Sequence, residues 1–303
     1  MLELLEMTRP LNGIMGIVGV FIGALIAVGG SLQEFSTPLF LFAAVAVFLI
    51  NSAGNVFNDF IDVEADRINS PGKPLPAGRV SERSVLIFSV LLFVMGNFFA
   101  LLINGLTFTI ALFNSVVLIL YSVSFQHKVF LGNLAIGYLV GSLFLFGAAV
   151  FLNIRLVIIL TILAMLATIT REIIKDLEDI EGDRRSFLKR IASEVSKATV
   201  PIAERFGVTT KGVRMKYQER TMVIIAISSL LLAVVFSVLP YYYGIVSFSY
   251  LFIVLVADAV FLSCVYSLGS EKATRKKGYR RISSRLKIGM VIALIAFIAG
   301  VLV

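Results

Sequence analysis

Asn55, Asn58, Asp59, Asp62 and Asp66 step by three or four residues and close a long apolar run. That spacing predicts five polar side chains on one face of a helix. Glu172, Lys175, Asp176, Asp179 and Asp183 repeat the five positions 117 residues later, so Asp59, Asp62 and Asp66 match Asp176, Asp179 and Asp183 carboxylate for carboxylate. Two such faces repel each other across a shared cavity unless cations lie between them. The pattern therefore predicts a divalent-metal site. Carboxylate and amide oxygens without a His or Cys cluster favour Mg²⁺, which keeps several waters and takes further ligands from substrate phosphates. The expected ligands are Asn55, Asp59, Asp62, Asp66, Asp176, Asp179 and Asp183.

The elements that must position these groups follow from composition. With 58% hydrophobic and 15% charged residues, the chain cannot hide its apolar surface in a water-soluble core and is an integral membrane protein. Runs of about twenty apolar residues predict helices near 11–30, 38–58, 84–103, 106–125, 133–151, 154–174, 220–239, 246–267 and 285–303. The expected fold is an all-α membrane protein of nine transmembrane helices. The 117-residue offset divides them into two four-helix pseudo-repeats plus a ninth helix around a central cavity. A single domain over 1–303 is expected, with cap loops at about 59–83 and 175–219. Glu3 and Glu6 occupy the place of a signal peptide's basic segment, so the first helix is expected to be retained. The single Cys264 excludes an internal disulfide.

Twenty-six of the 27 Lys and Arg fall at the N-terminus or in the loops after the even-numbered helices, and Arg155 alone falls on the other side. The positive-inside rule then puts the N-terminus and both acidic motifs in the cytoplasm and the C-terminus outside, in a multi-pass protein of the cell membrane. The net charge of +8 sits beside membrane spans, which assigns it to lipid headgroups and substrate anions rather than to nucleic acid. Lys272, Arg275, Lys276, Lys277, Arg280 and Arg281 form the densest such cluster.

Several residues carry two readings. Arg9 reads as a topology anchor ahead of Pro10, which suits a first helical turn. Asn51 reads as a buried amide bonding a neighbouring helix, whereas Asn55, one turn before Asp59, reads as part of the site. Tyr121 is either an aromatic-belt residue or functional, and the lone His127 reads as interfacial. Phe187, Leu188, Ile191, Val195 and Ala198 predict a short surface helix between 184 and 219 that lids the site. Asp258, inside the eighth helix, requires a partner or a polar cavity.

The paired motifs, in order at the ends of helices 2 and 6 of nine, resemble the two Asp-rich motifs of the UbiA superfamily of intramembrane prenyltransferases. Supporting likenesses are Arg9-Pro10-Leu11-Asn12, Lys73-Pro74-Leu75-Pro76-Ala77-Gly78 and Leu131-Gly132-Asn133. The Tyr121–Lys128 spacing is wider than the family's usual one. The resemblance implies transfer of an isoprenyl group from its diphosphate to a lipid-like acceptor, assisted by two Mg²⁺. It implies catalytic roles for Asp62, Asp179 and Tyr121, and contacts to diphosphate from Asn58, Arg67, Lys73, Lys128 and Lys175. The Arg-Pro-Leu-Asn opening is most similar to archaeal members that join a geranylgeranyl chain to the free hydroxyl of geranylgeranylglyceryl phosphate. An aromatic or quinone-type acceptor is the alternative within the family. A divalent-cation transporter is the alternative outside it, disfavoured because transport wants ionisable groups near the midplane.

Overall fold

Each predicted apolar run becomes a helix, and nine helices among the described residues are long and apolar enough to cross a membrane, from Pro10–Ala27 to Lys277–Leu302. The computed structural model describes residues 2–126, 128–195, 208–269 and 276–302, without the side chains of 129, 180–195, 208–218 and 276. In order, the chain forms α1 (Leu2–Met7), α2 (Pro10–Ala27), α3 (Thr37–Ile61), α4 (Val63–Asn69), α5 (Glu82–Leu101) and α6 (Gly105–Leu120). A π-helical turn (Tyr121–Phe125) prolongs α6 before α7 (Val129–Ala149), and a 3₁₀ turn (Ile154–Val157) leads into α8 (Ile158–Val195). Then come α9 (Val208–Phe236), the short α10 (Leu239–Tyr242), α11 (Phe248–Gly269) and α12 (Lys276–Leu302).

Several predicted boundaries move, among them the start of α9, at Val208 rather than near 220. The stretch expected to be a cap loop from 175 and a separate surface helix from 184 is instead the continuation of α8, which runs unbroken to Val195. Its charges lower the hydropathy without interrupting helical periodicity, so an apolar-run criterion stops too early. Residues 196–207, including Ala198 of the expected lid, lie outside the described residues, as do His127, Lys272 and Arg275. Likewise α12 begins at Lys276 rather than near 285, making most of the expected basic loop its first turns.

Chain packing separates two compact units. The first comprises residues 1–165, 239–250 and 297–303; the second comprises 166–238 and 251–296. In the first unit, helices approach through small residues, as expected where lipid removes the hydrophobic drive for association. A Cβ on Gly147 of α7 would overlap the Val20 carbonyl of α2, and one on Gly23 would overlap the Phe144 carbonyl. Helices α3 and α5 meet in the same manner, with Gly96 against Ile50 and the Ala46 carbonyl. Asn104 caps α6 through the Thr107 amide and reaches the Ala149 carbonyl of α7. In the second unit, the Thr170 hydroxyl of α8 reaches the Ala226 carbonyl of α9, and Gly289 of α12 lies against the Phe261 ring of α11. Cys264 is buried there and unbridged.

Candidate functional site

The first acidic motif does not lie on one continuous helix. Helix α3 ends at Ile61 and Asp62 caps it, with φ −86° and ψ 7°; α4 then starts at Val63. The Asp66 amide donates to the Asp62 carbonyl at 2.8 Å, so Asp66 stays one turn beyond the junction. By contrast, Glu172, Lys175, Asp176 and Asp179 lie within the unbroken α8. The two motifs share spacing but not backbone.

Asp59 is 4% exposed, and a buried carboxylate needs partners. It has two cations. Arg9 Nη2 lies 2.7 Å from Asp59 Oδ1, and Lys73 Nζ lies 3.1 Å from the same oxygen. Lys73 Nζ is also 2.6 Å from Asp66 Oδ2, so its ammonium bridges two carboxylates. Burial would lower the Lys73 pKa, but the hydrogen bonds and charges of Asp66 and Asp59 outweigh it, and the net shift is upward from 10.5. Lys73 is therefore a permanent cation at neutral pH.

Arg9 reaches Asp59 because of its backbone. With φ 49° it is one of two non-glycine residues in the left-handed region among the described residues, a conformation that non-glycine residues adopt at a cost. Lys73 is delivered by a laced loop. Its carbonyl accepts from the Ala77 amide, and Arg79 donates to the Gly72 carbonyl at 2.8 Å while pairing with Glu3 at 2.7 Å. Leu75 is buried with Met7, Val56, Val63 and Val85, and burying such a side chain contributes about 1.5–3 kcal/mol.

Asp62 is held by neutral donors instead. Asn58 Nδ2 donates to Asp62 Oδ2 and Gln126 Nε2 to Asp62 Oδ1, both at 2.7 Å. The Ser122 hydroxyl donates to Asn58 Oδ1 at 3.2 Å. Gln126 follows the π-helical turn, where its amide bonds the Tyr121 carbonyl at 3.0 Å. A π-bulge inserts an extra residue into the helical register, and Lys128 follows it as the cap of α7.

Among the expected metal ligands, Asp59, Asp62 and Asp66 gather at one helix end. Asn55 is partly committed to packing, its Nδ2 donating to the Thr8 carbonyl and to Asn51 Oδ1, each at 3.1 Å. In the second motif, Asp176 is half-buried and Asp179 exposed; Asp183 lies beyond the described side chains. Among the described residues, no three acidic, imidazole or thiol side chains converge closely enough to enclose a metal ion. The donor set nevertheless fits a hard divalent cation, because Asp59 and Asp66 already converge on one cationic group and all the donors are oxygens.

The residues expected to contact diphosphate stand in different surroundings. Lys73 stands at the acidic face, but Arg67 turns to Glu64 at 2.6 Å and Glu82 at 3.4 Å, on an exposed surface. Asn58 is occupied by Asp62 and Ser122. Lys128 is exposed and caps α7, while Gln126 from the same segment meets Asp62. Lys175 is exposed, 3.7 Å from Glu172 Oε2; Arg171 holds Glu172 Oε1 at 3.0 Å. Tyr121 is half-buried at the start of the π turn. Sequence reasoning missed Arg9 and Gln126 as neighbours of the carboxylates. The Arg-Pro-Leu-Asn opening was a signal for Arg9; Gln126 had none. Asp258 has the partner it requires, accepting from the Ser237 hydroxyl at 2.7 Å.

The pattern of the UbiA prenyltransferase family matches residues 16–295. The chain is 39% identical over 308 residues to digeranylgeranylglyceryl phosphate synthase of Methanosarcina mazei, covering 98% of this chain and 97% of that protein. It is 40% identical to the protein of the same name from Methanococcoides burtonii, covering 98% of each. A solved structure described as digeranylgeranylglyceryl phosphate synthase in membranes superposes with a TM-score of 0.80 at 32% identity, covering 99% of this chain and 98% of that one. A UbiA homologue from Archaeoglobus fulgidus, solved with GPP and Mg²⁺, shares the fold with a TM-score of 0.55 at 16% identity, covering 96% and 99%.

Proposed function

The chain belongs to the UbiA prenyltransferase family, and from that premise we propose that it joins a geranylgeranyl chain to the free hydroxyl of geranylgeranylglyceryl phosphate. The donor is geranylgeranyl diphosphate. The bond between its allylic carbon and the diphosphate breaks, an ether bond to the acceptor oxygen forms, and the hydroxyl proton is released. The product is a doubly alkylated glycerol phosphate of archaeal-type lipids. One observation carries the reading: Asp59 and Asp66 converge on a single cationic group at the end of a membrane helix, in a chain similar over nearly its whole length to proteins named for this product.

The carboxylates of Asp59, Asp62 and Asp66, with Asp176, Asp179 and Asp183 of the second motif, would hold two Mg²⁺. Mg²⁺, when bound, neutralises diphosphate oxygens and stabilises the charge that the leaving group acquires. Arg9 and Lys73, already beside Asp59, offer charge-assisted hydrogen bonds to the diphosphate. Asn58 and Gln126 hold Asp62 by both of its oxygens, so its orientation is set before substrate arrives. The Tyr121 ring shields the cation-like allylic carbon, and the apolar helix faces keep water from competing with the acceptor. The protein spans the cell membrane with the N-terminus and the acidic motifs on the cytoplasmic side.

The test offers purified protein geranylgeranyl diphosphate with geranylgeranylglyceryl phosphate or with aromatic acceptors, and identifies products by mass spectrometry. The proposal expects the doubly alkylated glycerol phosphate, lost in EDTA and restored by Mg²⁺. Prenylated aromatic product alone would move the acceptor to the quinone type, and unchanged turnover in EDTA would overturn the metal requirement.

A further inference from the structure

Lys73 does more than wait for a phosphate. Its ammonium is shared between Asp59 Oδ1 at 3.1 Å and Asp66 Oδ2 at 2.6 Å, and Arg9 Nη2 approaches the same Asp59 oxygen at 2.7 Å. One oxygen of Asp59 and one of Asp66, two of the expected metal ligands, are thus already engaged by side-chain cations. Asp59 and Asp66 are 6% and 13% exposed in their side chains and Lys73 is 34% exposed, so this contact is not freely screened by water. A bare ion entering here must displace the ammonium against like-charge repulsion. The displaced ammonium would then lie beside the ion with no carboxylate of its own.

A diphosphate changes both costs. It brings several negative charges, and its oxygens accept hydrogen bonds from ammonium as carboxylate oxygens do. The Lys73 backbone is fixed by hydrogen bonds: its N–H donates to the Ser70 carbonyl at 3.1 Å and its carbonyl accepts from the Ala77 N–H at 3.0 Å. The four-carbon stem is flexible, so the ammonium can swing between acceptors while the loop stays in place.

We infer that Lys73 is an exchange cation: it holds Asp59 and Asp66 against a bare divalent ion and yields them when a diphosphate gives its ammonium a new partner. Metal and diphosphate binding are thereby coupled, and the coupling must act equally in both directions. The inference rests on the prenyltransferase reading and deepens it by assigning an order to loading. Diphosphate and metal enter together, and the acidic face alone is a poor cation trap in a cytoplasm that holds free Mg²⁺.

The experiment measures Mn²⁺ binding to the purified full chain by electron paramagnetic resonance. Free Mn²⁺ is held fixed, with and without a thiolo-diphosphate analogue of the donor that cannot react. For the unmodified protein the expectation is weak binding of Mn²⁺ alone, tightened at least tenfold by the analogue. Lys73→Met should bind Mn²⁺ alone about tenfold more tightly, and the analogue should add little. Lys73→Arg, which keeps the charge, should keep the weak binding. Lys73→Met binding Mn²⁺ no better than the unmodified protein, or retaining the full effect of the analogue, would overturn the inference. Thermal unfolding of each variant in detergent confirms equal folded amounts. Product formation by the unmodified protein tests the prenyltransferase reading separately, since the metal titration needs no acceptor and no turnover.

Discussion

The Gln126 side-chain amide donates to Asp62 Oδ1 at 2.7 Å, 64 residues away in the chain. It holds the carboxylate oxygen that Asn58 leaves open, because Asn58 takes Oδ2. A hydrogen bond to a charged group contributes about 1.5–3 kcal/mol, and about 1.4 kcal/mol is tenfold in rate. Gln126→Leu should therefore lower the product-formation rate about tenfold and the thermal midpoint modestly, while Lys128→Leu, two residues on, should cost less in both. The reverse order would return the role to Lys128.

The two arginines of the first motif's surroundings should separate in the same assay and in unfolding. Arg9 supports a buried carboxylate, and losing a partner of such a group destabilises strongly; Arg9 is 42% exposed, which reduces the loss to about 1–2 kcal/mol. Arg67 pairs with exposed Glu64 and Glu82, where a surface pair contributes about 0–1 kcal/mol. Arg9→Gln should lower both the midpoint and turnover, and Arg67→Gln should change neither appreciably. Equal effects would mean that the left-handed Arg9 backbone serves only the chain's entry into α2.

The contact between α2 and α7 predicts a sharp contrast between glycines. Gly147→Val must push its side chain into the Val20 carbonyl, whereas Gly72→Ala meets nothing within 4 Å. Overpacking costs typically about 1–3 kcal/mol and more where backbone must move. Scanning fluorimetry in detergent should show a lowered midpoint or lost folded yield for Gly147→Val and an unchanged one for Gly72→Ala. A normal midpoint for Gly147→Val would refute this packing.

Much of this arrangement is legible in the sequence, for identifiable reasons. Nine apolar runs and the lopsided Lys and Arg distribution need only hydropathy and charge, and Asp59, Asp62 and Asp66 announce themselves by spacing. What escapes is what departs from a 3.6-residue period. The break at Asp62, the left-handed Arg9 and the π turn before Gln126 are all changes of backbone, invisible to side-chain periodicity. The pairing of Arg67 with Glu64, three residues back on α4, is a spacing that sequence reveals, whereas its contact with Glu82 is not. The continuation of α8 to Val195 is missed because its charges mimic a loop.

The orientation proposed from the basic residues can be tested with Cys264 as a silent background, since it is buried. A cysteine at Gly72, in the loop beside Lys73, should label with an impermeant maleimide only from the cytoplasmic side. One at Tyr242, 77% exposed at the other end of its span, should label only from outside. The opposite pattern would invert the topology.

The central claim is that both acidic motifs act in the chemical step. The decisive measurement is the rate of product formation from geranylgeranyl diphosphate and geranylgeranylglyceryl phosphate by Asp62→Ala and Asp179→Ala, at equal folded amounts. Removal of a preorganised electrostatic group costs about 10²-fold or more in turnover, and each variant should lose at least that. Lys277→Ala, in the exposed basic turn of α12, should keep its rate, because one surface charge near anionic lipid contributes only about 1 kcal/mol to membrane attachment. Full turnover by Asp62→Ala and Asp179→Ala, with loss in Lys277→Ala, would contradict the account and place the reaction elsewhere in the molecule.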